Sequence, residues 1–479
     1  MLFPTIEFAL FFLITYGAYW LLASHYRMRR LLLLFASYVF YAWWNWKFSL
    51  LLLTASLIAW LCAMLIEKTK RKYRKITLAA GVGTVLSILI WFKYYLLLAS
   101  TINSLTLALS AGTPLPIFSI ILPVGISFYT FQAISYMIDV YRNDIQADKN
   151  PLDVLLYVAF FPQLVAGPIV RGKDFIPQLQ NQQRPKIQEA NRALLLITNG
   201  LFKKMIIATY LGTLLVDPVF SNPANYNALS CLLASYAYAF QIFCDFSAYS
   251  DIAIGIALLF GFHFPKNFDQ PYQALSVQDF WHRWHISLSS WLRDYLYIPL
   301  GGNRRGQLRT YINLFLTMLL GGLWHGARWT FVVWGTMHGF ALIIERLWQQ
   351  HRGRNQAPAQ LNSKNFLKRI AKRVLVFHFI CASWIVFRLP DLAQIKLYFM
   401  SLLGGGNQQA QTQISPFLIL LLLLSLAMHF WPKNLMHKFA DALAVEAHPL
   451  RASLLLGGVL AMIGIVSPDG VAPFIYFQF

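Results

Sequence analysis

The sequence LLGGLWHGARWTFVVWGTMHGF, residues 319–340, is apolar enough to lie in a membrane and yet contains His325 and His338. An ionisable side chain at membrane depth is costly and is therefore a functional candidate. His325 lies at the end of one apolar run and before the next, where burial favours a neutral imidazole that can accept a proton. The residues alone leave two interpretations open: a general base for a hydroxyl nucleophile, or a core histidine that donates to a backbone carbonyl.

A second block, DFWHRWHISLSSWLRDYLYIPLGGNRRG at residues 279–306, places His282 and His285 three residues apart, on one face if the segment is helical. Two histidines without further ligands at regular spacing do not make a zinc site, so we predict no metal. The tryptophans and arginines of the block favour an amphipathic helix near the cytoplasmic surface. These arginines, Arg293 among them, would either anchor the helix at the interface or bind the phosphates of a coenzyme or carrier protein.

The composition indicates a membrane protein with many spans. The chain has 479 residues, of which 57% are hydrophobic and 12% are charged, and a soluble domain cannot bury that much apolar surface. Lysines and arginines in cytoplasmic loops explain the net charge of +21 better than nucleic-acid binding does. The four cysteines lie in apolar runs without metal-ligand spacing, so we expect small buried residues and no disulfide framework.

Apolar runs long enough to cross a membrane predict an all-α fold. The runs lie near residues 3–24, 30–45, 47–66, 77–99, 117–141, 190–216, 226–262 (long enough for two spans), 309–323, 328–348, 368–388, 414–431 and 452–467. The run 117–141 contains Pro123 and Gly125, and the segment 153–171 is broken at Pro162. Irregular backbone at membrane depth requires protein or a water-filled cavity around it, so we predict about eleven full spans and re-entrant segments around an internal cavity.

The basic loops predict the orientation of the chain. Residues 25–30 and 67–75 are strongly basic, whereas 100–116 is nearly neutral, which places the two basic loops in the cytoplasm and the N-terminus outside. The basic segment 349–373 is likewise predicted inside, and the tail after residue 468 outside. If both ends of the chain lie on the same side of the membrane, the number of complete crossings is even. The estimate of about eleven spans therefore either misses one crossing or counts a re-entrant segment as a full span.

Asp245 and Asp251 lie in the apolar stretch FCDFSAYSDIAIGIALLFGFHFPKNFDQPY, residues 243–272. Carboxylates in such surroundings are costly and are usually paired or hydrogen-bonded. They form either a catalytic pair or structural pairs with a buried arginine or hydroxyl. No serine lies in a GxSxG turn, and no cysteine has a histidine near it in the sequence, so a covalent serine or cysteine enzyme has no local support.

Together, the two histidine blocks resemble the membrane-bound O-acyltransferase superfamily. The match is to the bacterial branch that O-acetylates alginate and peptidoglycan and that D-alanylates teichoic acid. Supporting stretches are SYVFYAWWNWKFSLLLL (37–53), LPVGISFYTFQAISYMIDVYR (122–142), FFPQLVAGPIVR (160–171) and residues 243–272. The resemblance covers nearly the whole chain, so we predict one domain over residues 1–479 with a histidine core at about 117–350. His282 departs from the pattern, which has a basic residue such as arginine or lysine there.

The resemblance implies a helical funnel whose thin floor separates a cytoplasmic cavity from an outer one. His325 matches the essential histidine of the superfamily, and His285 matches the second histidine of this branch. We take three further residues as candidates for substrate binding, namely Trp324, Asp245 and Arg293.

The implied activity is an O-acyl transfer through the bacterial inner membrane. Acetyl groups would pass from a cytoplasmic donor, acetyl-CoA or another acetyl thioester, to a cell-envelope or secreted polysaccharide. An extracytoplasmic acetyltransferase would be the partner that completes the transfer. We expect no tightly bound cofactor, lipid around the chain, and no nucleic acid.

The C-terminal residues VAPFIYFQF, 471–479, are predicted outside the cytoplasm. They are similar to the C-terminus of the small accessory subunits of D-alanylation systems, where a tail tyrosine carries the acyl group. Tyr476 corresponds to that tyrosine. A phenol with an ordinary pKa of about 10 forms a reactive ester, so Tyr476 would serve as an acyl relay. The surrounding aromatic residues leave a simple interface anchor open.

A transporter or flippase of an acyl or glycan intermediate, without acyl chemistry, is the alternative function. Broken helices with intramembrane histidines and aspartates occur in that class too. Inverted repeats would favour it, and the sequence contains none. A scaffold that only recruits envelope enzymes is a third possibility, and it predicts that both histidines tolerate substitution.

Overall fold

The structure, a computed structural model, describes residues 1, 3–110, 112–181, 183, 189–351, 366–410, 414–443 and 448–468. The described residues form helices and connecting segments without a β-strand, so the all-α prediction is confirmed. Among them, the helices long and apolar enough to cross a membrane are Trp46–Lys68, Arg74–Ala108, Ala190–Ser221, Ala228–Leu259 and Phe366–Arg388. Shorter apolar helices lie at Ile6–Leu21, Pro416–Phe430 and Leu450–Val466. The estimate of about eleven full spans stays a prediction.

The chain divides into two compact units. The first unit contains Met1–Ala193 and Ile252–Pro265, and the second contains Leu194–Asp251 and Lys266–Phe479. Both histidine blocks belong to the second unit. The single domain over residues 1–479 stays a prediction.

The first unit is built around a buried helix, α5. The helices of this part of the chain are α1 (Ile6–Leu21), α2 (Tyr26–Ala42), α3 (Trp46–Lys68), α4 (Arg74–Ala108, with a π-helical turn at Ile90–Tyr94), α5 (Ile126–Arg142), α6 (Pro151–Ala159), α7 (Phe161–Leu164) and α8 (Gly172–Leu179). Helix α5 packs against α3 and α4 and is buried along almost its whole length. Its buried residues include polar side chains such as Gln132, Ser135 and Asp139 as well as apolar and aromatic ones.

The apolar run 117–141 is interrupted, as Pro123 and Gly125 within it indicated. Residues 113–123 form no regular secondary structure, and α5 begins at Ile126. Gly125 has a φ of +74°, and a Cβ at this position would lie 2.6 Å from the Leu164 carbonyl oxygen. Only glycine combines that conformation with so close a backbone approach, so the contact with the end of α7 sets the start of α5.

The segment 153–171 is broken, as predicted. Helix α6 ends at Ala159, α7 contains only four residues, and the backbone is then irregular up to the start of α8. Asp153, near the start of α6, lies 2.5 Å from Arg30. The pair neutralises a carboxylate that would be costly to bury alone.

The helices from Ala190 onward carry the histidine blocks. They are α9 (Ala190–Ser221), α10 (Ala228–Leu259), α11 (Val277–Arg283), α12 (Ile286–Leu292), α13 (Gln307–His325), α14 (Trp329–His351), α15 (Phe366–Arg388), α16 (Leu392–Met400), α17 (Pro416–Phe430), α18 (Lys433–Leu443) and α19 (Pro449–Val466). The run 226–262 does not hold two spans. It forms the single 32-residue helix α10, because no proline interrupts it.

Helices α13 and α14 form a tightly packed hairpin. A Cβ on Gly335 of α14 would lie 2.6 Å from the Met318 carbonyl oxygen of α13, and a Cβ on Gly322 would meet the carbonyl oxygen of Phe331. Small residues allow helix backbones in membranes to approach this closely. The hairpin fixes the position of His325, the last residue of α13.

Replacing Gly335 by alanine is expected to push α13 and α14 apart. The added methyl group meets the Met318 carbonyl oxygen, which belongs to the backbone and cannot move aside cheaply. Overpacking of this kind costs about 1–3 kcal/mol, so the melting temperature of the detergent-solubilised protein should fall. Gly457→Ala in α19 is the matched control, because nothing lies within 4 Å of its Cβ position. Equal melting temperatures for the two variants would show that the hairpin is not closely packed.

Candidate active site

His325 is held among aromatic rings at the end of α13. It lies between two helices, as predicted, since Gly326 leaves the helical conformation and α14 begins at Trp329. The side chain is only 6% exposed. The rings with centroids 5.0–6.5 Å from the imidazole are those of Trp324, Phe331, Trp334 and Phe387. Close packing on several sides fixes the position of the imidazole ring.

His285 occupies a break between α11 and α12. The prediction that His282 and His285 share one helical face is wrong, because α11 ends at Arg283 and His285 has a φ of +44°. Residues other than glycine rarely adopt this left-handed conformation, and it is concentrated at functional sites. His282 is exposed, whereas His285 is fully buried. The predicted amphipathic helix is therefore two short helices joined at His285.

Trp324 lies between the two histidines. Its ring centroid is 5.9 Å from that of His285 and 5.0 Å from that of His325. The structure thus brings three of the predicted site residues together, although the two histidines come from separate blocks of the sequence. Their proximity follows from the packing of the helices and has no signal in the local sequence.

Asn267 supports His285, and the sequence analysis does not identify it. Its Oδ1 atom lies 3.2 Å from His285 Nδ1, and its carbonyl oxygen accepts a hydrogen bond of 2.9 Å from the Ile286 N–H. The side chain is buried. The only sequence signal is a polar amide residue in a short segment between phenylalanines, which by itself indicates a turn.

Burial determines the charge of His285, which lies outside the helices long enough to cross a membrane. Removal from water lowers its pKa to about 3, because the imidazolium form loses its hydration. His285 is therefore neutral at physiological pH, with one ring nitrogen as a donor and the other as an acceptor. Desolvation rather than a charged neighbour is the cause.

His338 has a structural role in this arrangement. Trp281 Nε1 lies 3.3 Å from its Nδ1, and Ser383 Oγ lies 3.1 Å from its Nε2. An indole N–H can only donate, so Nδ1 accepts and Nε2 carries the proton. Both ring nitrogens are engaged, and His338 links α11, α14 and α15 through them.

The aspartates of α10 are paired with lysines that the sequence analysis does not identify. Asp245 lies 2.6 Å from Lys204 Nζ, and Asp251 lies 2.5 Å from Lys203 Nζ. The partners are therefore not the predicted arginine or hydroxyl but two lysines from a π-helical turn of α9. The ion pairs hold α10 against α9. A substrate contact for Asp245 stays a prediction.

A cavity of about 520 Å³ lies among α11 to α14 of the second unit. Trp281, Ile286 and Met318 contribute to its apolar lining. Its cationic lining residues are Arg293, Arg304 and Arg346, and the exposed His282 also lines it. Arg293 also lies 2.6 Å from the neighbouring Asp294 carboxylate. The predicted phosphate-binding residue therefore lies at a cavity large enough for a small molecule.

Two further predictions concern a tail residue and the thiols. Tyr476 lies outside the described residues, so the relay stays a prediction.

All four cysteines are buried and have free thiols, which confirms their prediction as small buried residues. Within the described ranges, no group of three histidine, cysteine, aspartate or glutamate side chains could hold a metal ion.

Comparison with known proteins identifies the family. Residues 38–387 match the family model for MBOAT, membrane-bound O-acyltransferases. A probable alginate O-acetylase of Pseudomonas aeruginosa is 43% identical over 416 positions, which cover 85% of this chain and 76% of that protein. A probable alginate O-acetylase of Azotobacter vinelandii is 36% identical, with 97% of each chain covered. The peptidoglycan O-acetyltransferase of Helicobacter pylori is 36% identical over 78% of this chain and 74% of that protein.

The family match spans the residues that the geometry brings together. It includes His285, Trp324 and His325, and it also includes Asn267. The apolar helices long enough to cross a membrane agree with a multi-pass membrane protein. The chain therefore belongs to the membrane-bound O-acyltransferase family and is a multi-pass membrane acyltransferase.

Proposed function

We propose that this acyltransferase moves acetyl groups from a cytoplasmic thioester through the bacterial inner membrane for O-acetylation of a cell-envelope or secreted polysaccharide. The contact of Trp324 with both His285 and His325, in the same unit as a cavity lined by arginines, carries the proposal. The names of the relatives support it, since they describe O-acetylation of alginate or peptidoglycan. The proposed acceptor is accordingly a polysaccharide hydroxyl.

The cavity is the proposed site for the acyl donor, acetyl-CoA or another acetyl thioester. Guanidinium groups bind phosphates through paired hydrogen bonds, and the cavity has three arginines, Arg293, Arg304 and Arg346. Its volume of about 520 Å³ is within the usual range for small-molecule sites. Ile286 lines the cavity and directly follows His285 in the chain, so we place the thioester against the part of the lining that Ile286 forms.

His325 is the proposed general base. A hydroxyl oxygen attacks the thioester carbonyl carbon, a C–O bond forms, and the C–S bond breaks. The hydroxyl proton moves to the imidazole of His325 and from there to the departing thiolate, so the reaction consumes no net proton. His285, on the other side of Trp324, is proposed to orient the acyl group.

The acetyl group is proposed to leave on the extracytoplasmic side. The orientation predicted from the basic loops places the start of α13 toward the cytoplasm and His325, at its other end, toward the outside. An extracytoplasmic acetyltransferase is the proposed partner that passes the acetyl group to the polysaccharide. Tyr476 is proposed to carry the group as a phenyl ester between His325 and that partner.

Purified protein in liposomes, supplied with acetyl-labelled CoA on one side and a hydroxyl acceptor on the other, tests the proposal. The labelled acetyl group should appear as an ester on the acceptor when the partner is added, and on Tyr476 when it is not. His325→Gln should lower the rate by about 10²-fold or more, since glutamine can form hydrogen bonds but cannot take the proton. His263→Gln is the matched control, because His263 is half exposed and lies in the first unit.

Two results would contradict this assignment. A wild-type rate in the His325→Gln variant would show that His325 is not the general base. Passage of the intact thioester into the liposome would support a transporter instead.

Arg305→Cys tests the side on which the donor cavity opens. Arg305 is exposed and follows Arg304 of the cavity lining, and the predicted orientation places both in the cytoplasm. A membrane-impermeant maleimide should label this cysteine in inside-out vesicles and not in intact cells. The native cysteines are buried, so their background labelling is low. Labelling in intact cells would reverse the proposed direction of transfer.

Tyr476→Phe separates the acyl relay from the interface anchor. The change keeps the aromatic ring and removes only the hydroxyl that would carry the acetyl group. A relay should lose nearly all polysaccharide acetylation, and mass spectrometry of the wild-type C-terminal peptide should detect an acetyl group on Tyr476 when the partner is absent. Phe474→Leu is a control for the aromatic tail. Full acetylation in the Tyr476→Phe variant would leave the tail as an anchor.

A further inference from the structure

The amide of Asn267 has one orientation that satisfies its surroundings. The Ser287 N–H lies 3.2 Å from Asn267 Oδ1, and a backbone N–H can only donate. The oxygen of the amide must therefore face Ser287. The amide nitrogen, on the other side, donates to Ser250 Oγ at 3.0 Å. Ser250 belongs to α10, so that helix helps to hold the asparagine in place.

The same oxygen determines the tautomer of His285. Asn267 Oδ1 lies 3.2 Å from His285 Nδ1, and because an amide oxygen only accepts, Nδ1 must carry the proton. Ser287 Oγ donates its own proton to Asn267 Oδ1 at 2.9 Å, so it can only accept from Nδ1, which is 3.4 Å away. A neutral imidazole has a single N–H, which leaves Nε2 as the basic nitrogen.

The surroundings of His285 favour this neutral form. The imidazole packs edge-on against the rings of Phe246 and Trp324, and nearly parallel to that of Phe268. The hydrogen bond from the Ile286 N–H to the Asn267 carbonyl oxygen stabilises the left-handed backbone conformation of His285. Asn267 therefore sets both the backbone and the protonation pattern of the histidine.

We propose that Asn267 is a positioning residue that holds His285 in the Nδ1–H tautomer, so that Nε2 accepts a hydrogen bond from a reacting thiol or hydroxyl group in acyl transfer. The inference rests on the proposed function of His285 in the active site. It refines the role of that histidine, since a basic Nε2 accepts a hydrogen bond from a thiol or hydroxyl and cannot donate one to the thioester carbonyl oxygen. His285 then orients the reacting group without taking its proton, and the charge on the carbonyl oxygen is stabilised by other donors.

Nitrogen-15 solid-state NMR of histidine-labelled protein reads the tautomer directly and does not depend on activity. The signals of His285 are assigned by their loss in His285→Gln. The wild type should show a protonated Nδ1 and a bare Nε2, and Asn267→Ala should shift His285 toward the Nε2–H form. Acetyl transfer by Asn267→Ala should fall by about 10–100-fold, the range found when a group that orients a functional histidine is removed.

Ser250→Ala is the matched control. It also removes a buried hydrogen bond of Asn267, but it leaves Oδ1 facing His285. It should keep the Nδ1–H tautomer and most of the activity. A purely structural role of Asn267 would instead give equal losses in the two variants.

Asn267→Asp provides a second reading if the alanine variant fails to fold. The carboxylate still accepts from Nδ1, but it also favours the imidazolium and so raises the pKa of His285. The neutral form, which alone can accept a hydrogen bond at Nε2, is then lost as the pH falls, so the rate of this variant should drop at acidic pH where the wild-type rate stays constant. An Nε2–H tautomer in the wild type, or a pH profile of Asn267→Asp equal to the wild type, overturns the proposal. Loss of the proposed function alone would leave the tautomer unchanged.

Discussion

Inside the site, a buried polar group has to find its hydrogen-bond partner within the protein, because burial removes it from water. For His285 the partner is the Asn267 amide, whose orientation is in turn fixed by a backbone N–H. For His338 the partners are Trp281 and Ser383, which engage both ring nitrogens. The hydrogen-bond partners thus distinguish the two histidines. Both ring nitrogens of His338 are hydrogen-bonded within the structure, whereas the partner of His285 determines which of its ring nitrogens is the acceptor.

Breaks in the helices place the reactive groups. His325 ends α13, and His285 joins two short helices in a left-handed conformation. In the middle of a regular helix, the neighbouring turns restrict the direction of a side chain. At a helix end, the backbone can leave the helical conformation, so the side chain can take another direction. The close packing of α13 on α14 fixes the position of the break that follows His325. The ion pairs between α9 and α10 fix a second helix, and α10 contributes both Phe246 and Ser250 to the support of His285.

Much of this organisation could be predicted from the sequence. Apolar runs gave most helices to within a few residues, and His325 lies between two helices as its position indicated. Other features depend on contacts between segments that are distant in the sequence, and local sequence patterns do not predict such contacts. The spacing of His282 and His285 predicts one helical face, yet hydrogen bonds to Asn267 impose a break between them. The lysines of α9 lie in an apolar run, and only packing shows that they neutralise the aspartates of α10.

The central claim is that the cavity beside the histidines delivers an acetyl thioester to His285 and His325. A photoreactive, non-hydrolysable analogue of acetyl-CoA, crosslinked to the purified protein and mapped by peptide mass spectrometry, tests it most directly. The account predicts crosslinks to peptides within residues 278–304 and 342–349, which line the cavity, and their loss when acetyl-CoA is added in excess. Crosslinks confined to the first unit, or crosslinks that excess acetyl-CoA does not displace, would contradict it.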